Sequence, residues 1–177
     1  MERQYLNLDA YNKVIEIIKE NIKINLYPRI FNDYRSKSIN CYGYALAIDH
    51  SFYGFSEMVV LVPGNLSDYN LYKTPNIEYR DLYKEHYGFM DHVEKDMIAL
   101  GLNYRYYESG TVEENEFLLG CYLDLPSDDF HFVRSDIEGF SHKEGWYLPP
   151  EKISYILKHE HDFGKYIATL ALSKKAK

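Results

Sequence analysis

The spacing of apolar residues changes character partway along the chain, and that change restricts the fold more than any other feature. Residues 7–23 carry Leu8, Tyr11, Val14, Ile15, Ile18 and Ile22 at helical spacing, with Asn7 or Asp9 placed to cap the start. Residues 76–100 read as two helical pieces broken near Gly88, the second with Met90, Val93, Met97, Ile98 and Leu100 on one face and Gly101 as its stop. Beyond Gly101 the pattern becomes strand-like, in runs at 102–108, 117–125, 130–135, 139–143 and 166–172. Pro149 and Pro150 suggest a short helix before the last run. Helices first and strands after predict an α+β fold, an antiparallel sheet with helices packed on one side.

Between these blocks, residues 24–39 contain Pro28, Asn32 and Asp33 and read as an irregular connection. A helix is expected to start at Cys41 and run to His50, and 58–63 (MVVLVP) reads as a short buried strand followed by turn material. A length of 177 residues fits one domain, with residues 1–37 as a helical N-terminal extension. The net charge of −7 argues against a nucleic-acid or anionic-membrane surface. The mixed, charged start MERQYLNLDAYNK lacks an apolar targeting segment, so a cytoplasmic location is expected, with release by lysis or a dedicated route. Nineteen tyrosines would suit a groove that binds peptides or sugars, although codon bias is the better explanation.

Two cysteines in such a chain read as free thiols. Cys41 follows Asn40, a good N-cap, so its thiol would sit in a first helical turn beside unpaired N–H groups that favour thiolate and could bind an oxyanion. Cys121 lies in an apolar strand-like run and reads as a packed core thiol. A base must come from elsewhere. If 130–134 and 139–143 pair through a four-residue loop, Arg134 opposes Gly139 and His131 directly opposes His142. Opposed residues share a sheet face with Cβ atoms about 5 Å apart, close enough for one imidazole to orient the other. A one-residue slip would destroy that arrangement.

The segments NCYGYAL, Pro63–Gly64 and DDFHFVRSDIEGFSHKEGW resemble a set of bacterial and phage proteins related to the NlpC/P60 and CHAP branches of the papain-like cysteine hydrolases. The likeness covers residues 38–148 and is most specific at 40–46 and 129–146. It implies a papain-like, NlpC/P60-like domain in which the nucleophile helix packs on an antiparallel sheet. It implies Cys41 as nucleophile, His131 as base and His142 as third member; the rival reading of the residues has His142 line the substrate groove and Asp129 or an Asn orient His131. Asn40, Tyr42, Asp129, Arg134 and Trp146 are the expected substrate-binding residues. Phe140 stands where the family pattern has Trp, and Asn40 and Tyr42 replace the D-C-S-G-F context of NlpC/P60.

The expected function is a thiol-dependent amide hydrolase, a cysteine peptidase or amidase acting through an acyl-enzyme on a peptide or peptidoglycan-like substrate. The alternatives are a non-catalytic effector or inhibitor on the same fold, and a deamidase or transglutaminase acting on a protein partner. Cys41, His131, His142 and an acid form a set zinc would accept, but no paired metal-ligand spacing accompanies them, so no metal and no cofactor is expected.

Overall fold

A computed structural model describes residues 5–22, 39–48, 61–74, 77–84, 86–137, 139–144, 148–154 and 163–175. Five helices precede six strands: α1 (Leu8–Asn21), α2 (Cys41–Ala45), α3 (Tyr69–Tyr72), α4 (Tyr79–Tyr83), α5 (His86–Ala99), then β1 (Leu102–Tyr106), β2 (Phe117–Asp124), β3 (Asp129–Asp136), β4 (Gly139–His142), β5 (Glu151–Ile153) and β6 (Lys165–Lys174). The strands form one antiparallel sheet in the order β1-β6-β2-β3-β4-β5. The chain is therefore α+β, as the change in periodicity predicts.

Local chemistry accounts for the helix ends. Asn7 accepts the Ala10 N–H at 2.9 Å and starts α1, whose Tyr11, Val14, Ile15 and Ile18 recur at three- and four-residue steps and are buried. These four side chains join the same apolar core as Tyr42, Phe89, Phe132 and Leu170. The break between α4 and α5 falls at Lys84, which takes a left-handed φ of +48°, and not near Gly88. Gly88 lies inside α5, where a Cβ would run into the Tyr83 carbonyl oxygen, so glycine lets the end of α4 approach α5 closely.

β2 lies between β6 and β3 and is buried on both faces along Phe117–Leu123, so FLLGCYL reads as a continuous apolar run rather than an alternating one. Cys121 on this strand is fully buried. The helix expected after Pro149 is instead a strand at its start: Glu151, Lys152 and Ile153 pair with His142, Ser141 and Phe140. An open edge on β4 outcompetes the local proline signal. Leu61, Val62 and Pro63 are not strand, and the rest of the run expected at 58–63 lies outside the described residues, as do His50 at the expected end of α2 and most of 24–39. The described part of α2 is shorter than expected, with Leu46 as its C-cap.

The tyrosines supply core more than groove. Tyr11, Tyr42, Tyr44 and Tyr83 are buried and send their hydroxyls to Asn65 O, Asp96, Ser141 and Pro63 O. Among the described residues, no helix is long and apolar enough to cross a membrane.

Candidate functional site

Asn40 places Cys41. Its Oδ1 accepts the Gly43 N–H at 3.0 Å, capping α2, while its Nδ2 donates to Leu61 O at 2.6 Å and ties the cap to the following loop. The thiol of Cys41 then rests on β3, with Sγ donating to Phe130 O at 3.7 Å. Only 6% of Cys41 is exposed. Burial, followed by the charge of Asp129, pushes the thiol up to about 12, while the Phe132 and Tyr42 backbones and the Lys143 ammonium pull against that.

The β3–β4 hairpin brings the two histidines together by a different register from the expected one. The strands close at Asp136↔Gly139, with Arg134↔Ser141 and Val133↔His142, so the turn has two residues instead of four. Gly139 takes φ +100° at its end, a conformation that residues with a Cβ rarely adopt. His142 thus opposes Val133, not His131. The displacement is two residues, which preserves the face, and His131 becomes the diagonal neighbour of His142. His131 Nε2 and His142 Nδ1 are 3.0 Å apart, with the rings at 76°. One nitrogen donates and the other accepts, so a single proton lies between the two rings. Phe163 stacks on His131 at 4.2 Å and lies 4.8 Å from His142. Burial first, then the neighbouring His142, depress His131 to about 3.

Strand alternation separates the thiol from this pair. Phe130, Phe132 and Arg134 face the helices: Phe132 packs on Tyr42 and Phe89, and Arg134 donates to the Tyr44 and Ala45 carbonyls at 3.4 and 3.1 Å. His131 faces the other way, paired with Tyr122 across the ladder and covered by Phe163. No hydrogen bond joins Cys41 to His131 among the described residues. Two members of the expected triad meet, and the third sits across the sheet.

The expected substrate-binding residues are largely given other work. Asn40 is the buried cap already described. Tyr42 is fully buried and donates to Asp96 Oδ2 at 2.9 Å. Arg134 pairs with Asp136 at 2.9 Å, both side chains sealed from solvent, and lies over the Phe117 ring. In the fold these three side chains tie α2 to the loop at Leu61, to α5 and to the β3–β4 hairpin. Asp129 starts β3 on the exposed rim and accepts the Phe130 N–H at 2.8 Å. Trp146 lies outside the described residues.

Three residues at this site escape sequence reading. Lys143 is fully buried and interacts electrostatically with Cys41. Phe163 precedes the last strand with no pattern to mark it. Asp96 does leave a signal, because it occupies a buried position of the α5 stripe with Phe89, Val93 and Leu100. It collects four donors: Tyr42 Oη, Gly64 N at 2.7 Å, Leu66 N at 3.1 Å and Ser67 Oγ at 2.7 Å. It fastens α2, the 63–68 turn and α5 to one another. Burial pushes this carboxyl up to about 7, against the pull of those donors.

The described residues contain no group of three or more His, Cys, Asp or Glu that could hold a metal ion. The fold and site define an α+β chain with a short thiol-bearing helix seated on a six-stranded antiparallel sheet. No protein-family model, curated protein or solved structure matches it.

Proposed function

We propose that the chain is a papain-like, thiol-dependent amide hydrolase with Cys41 as nucleophile and the His131–His142 pair as an imidazole unit of the same site. One observation carries the reading: two adjacent residues of β3 bind the two halves, Phe130 O accepting from Cys41 Sγ at 3.7 Å and His131 Nε2 meeting His142 Nδ1 at 3.0 Å. His142 occupies Nε2, which leaves Nδ1 as the His131 nitrogen for a thiol. The reading requires that the start of β3 turn the His131 ring toward the sulfur when substrate binds. A peptide or peptidoglycan-like amide is the substrate class, and the N–H groups of the first α2 turn would hold the oxyanion.

A second reading has its own support. A thiol pushed up to about 12 and closed from solvent suits a structural cysteine, and the fold would then serve as a non-catalytic effector or inhibitor module on a protein partner. An iodoacetamide time course at pH 7, read by mass spectrometry at each cysteine, separates the two. Labelling of Cys41 ahead of Cys121, together with amide cleavage lost in Cys41→Ala, supports the hydrolase. Equal resistance of both thiols in folded protein, with no cleavage that depends on Cys41, leaves the second reading.

A further inference from the structure

Alternation that carries His142 away from the helices returns the next residue to them. Ser141, on the helix side, accepts the Tyr44 hydroxyl at 2.7 Å, which fixes β4 against α2. Lys143 is two residues beyond Ser141, one past the end of β4, and its burial and its interaction with Cys41 place it on Ser141's side. Cys41 is three residues before Tyr44, one turn back along α2 on the same side. Both steps run in the same direction. Arg134 of β3 meets the α2 carbonyls at the Tyr44–Ala45 end, while Phe130 meets Cys41, and β4 runs antiparallel to β3. Lys143 therefore sits at the Cys41 end of the helix–sheet seam, with 0% of its surface exposed.

We infer that Lys143 is the proton partner of Cys41, the group that accepts the thiol proton and returns it during turnover. The inference rests on Cys41 being the nucleophile, and it moves the thiol proton from His131, across the sheet, to Lys143 on the thiol's own side. Among the described residues, the charged groups that bear on the thiol are Lys143, one residue past β4, and Asp129 at the start of β3. Asp129 opposes a thiolate, so the stabilising charge falls to Lys143. Burial lowers the amine to about 8, so a useful neutral fraction exists near neutral pH. Neutral Nζ takes the proton from Sγ, and the thiolate bonds to the amide carbon. The resulting ammonium protonates the leaving amine as the C–N bond breaks. Water then gives a proton to Nζ and attacks the thioester. The C–S bond breaks and the ammonium returns a proton to sulfur.

The test follows Cys41 labelling by iodoacetamide, read by mass spectrometry from pH 6 to 10, in wild type, Lys143→Met and Lys143→Arg, each checked for folding by circular dichroism. Methionine removes the ammonium that supports thiolate, so labelling at pH 7.5 should fall about tenfold, one unit of thiol acidity. Arginine keeps the charge and should retain labelling while losing turnover, since it does not give up a proton. Unchanged labelling and midpoint in Lys143→Met overturn the lysine while leaving Cys41 as nucleophile. Failure of folded wild type to label at Cys41 overturns both. If neither lysine variant folds, ¹³C-lysine NMR of wild type against Cys41→Ala decides. A lower Lys143 titration midpoint in Cys41→Ala supports the pairing, and an identical midpoint overturns it.

Discussion

The two faces of the β3–β4 ladder differ in how they treat polar groups. The helix face carries charge: Arg134 is neutralised by Asp136, and Lys143 lies buried on the Cys41 side of the seam. The far face carries a hydrogen-bonded imidazole pair, His131 and His142, under Phe163. A buried ion pair tolerates no loss of a partner, whereas a buried imidazole pair tolerates no gain of a proton. The faces should therefore fail under different stresses, mutation on one side and acid on the other.

The largest effect is expected on the helix face. Arg134→Met takes the guanidinium from Asp136 and from two α2 carbonyls, and it should cost about 3 to 5 kcal/mol in urea unfolding. A loss below 1 kcal/mol would mean that the pair does not hold the hairpin to α2.

Acid should act on the far face. The depressed His131 stays neutral in the fold, while in the unfolded chain it takes a proton below about 6.5. The unfolded state then binds more protons, so this contribution to stability falls as pH drops from about 6.5 toward 3, by up to about 2 kcal/mol at pH 5. Asp96, raised to about 7, moves stability the other way over the same range. The difference between wild type and His131→Phe isolates the imidazole, and curves that stay parallel from pH 7.5 to 5 would contradict it.

The two thiols offer a smaller contrast. Cys121 lies at the sheet centre with no exposure, so Cys121→Ala should cost about 1 to 2 kcal/mol and leave activity intact. Cys41→Ala should cost less than about 1 kcal/mol and abolish activity. Reversed outcomes in thermal melts and amide-cleavage assays would move the nucleophile to Cys121. Finest of all, His142→Asn should retain about threefold more activity than His142→Ala, because an amide still hydrogen-bonds His131. Equal rates would reduce His142 to packing.

Elements with one strong local period were readable: α1 was expected at 7–23 and spans Leu8–Asn21, and β2 at 117–125 spans Phe117–Asp124. The meeting of His131 with His142 was readable although the turn length was misjudged, because an error of two residues leaves parity intact. Three things were not readable. The insertion of β6 between β1 and β2 is a long-range pairing that no local pattern encodes. β5 hid behind a proline pair that imitates a helix start. The face on which α2 lands depends on Phe130 and Phe132 winning the core over His131 and Val133, and all four residues are buried, so alternation gave no polarity to read.

The two-residue turn between Asp136 and Gly139 also governs what lineages of this chain could survive. A connection of that length has no slack, so loss of one residue there would be absorbed by slippage of the ladder. With β3 held by the core, His142 would swing to the thiol and Lys143 to His131, exchanging the partners of both faces in one event. Descendants should therefore show turns altered by even steps or lengthened outright, and a single-codon deletion at 137–138 should be purged more strongly than most substitutions within either strand.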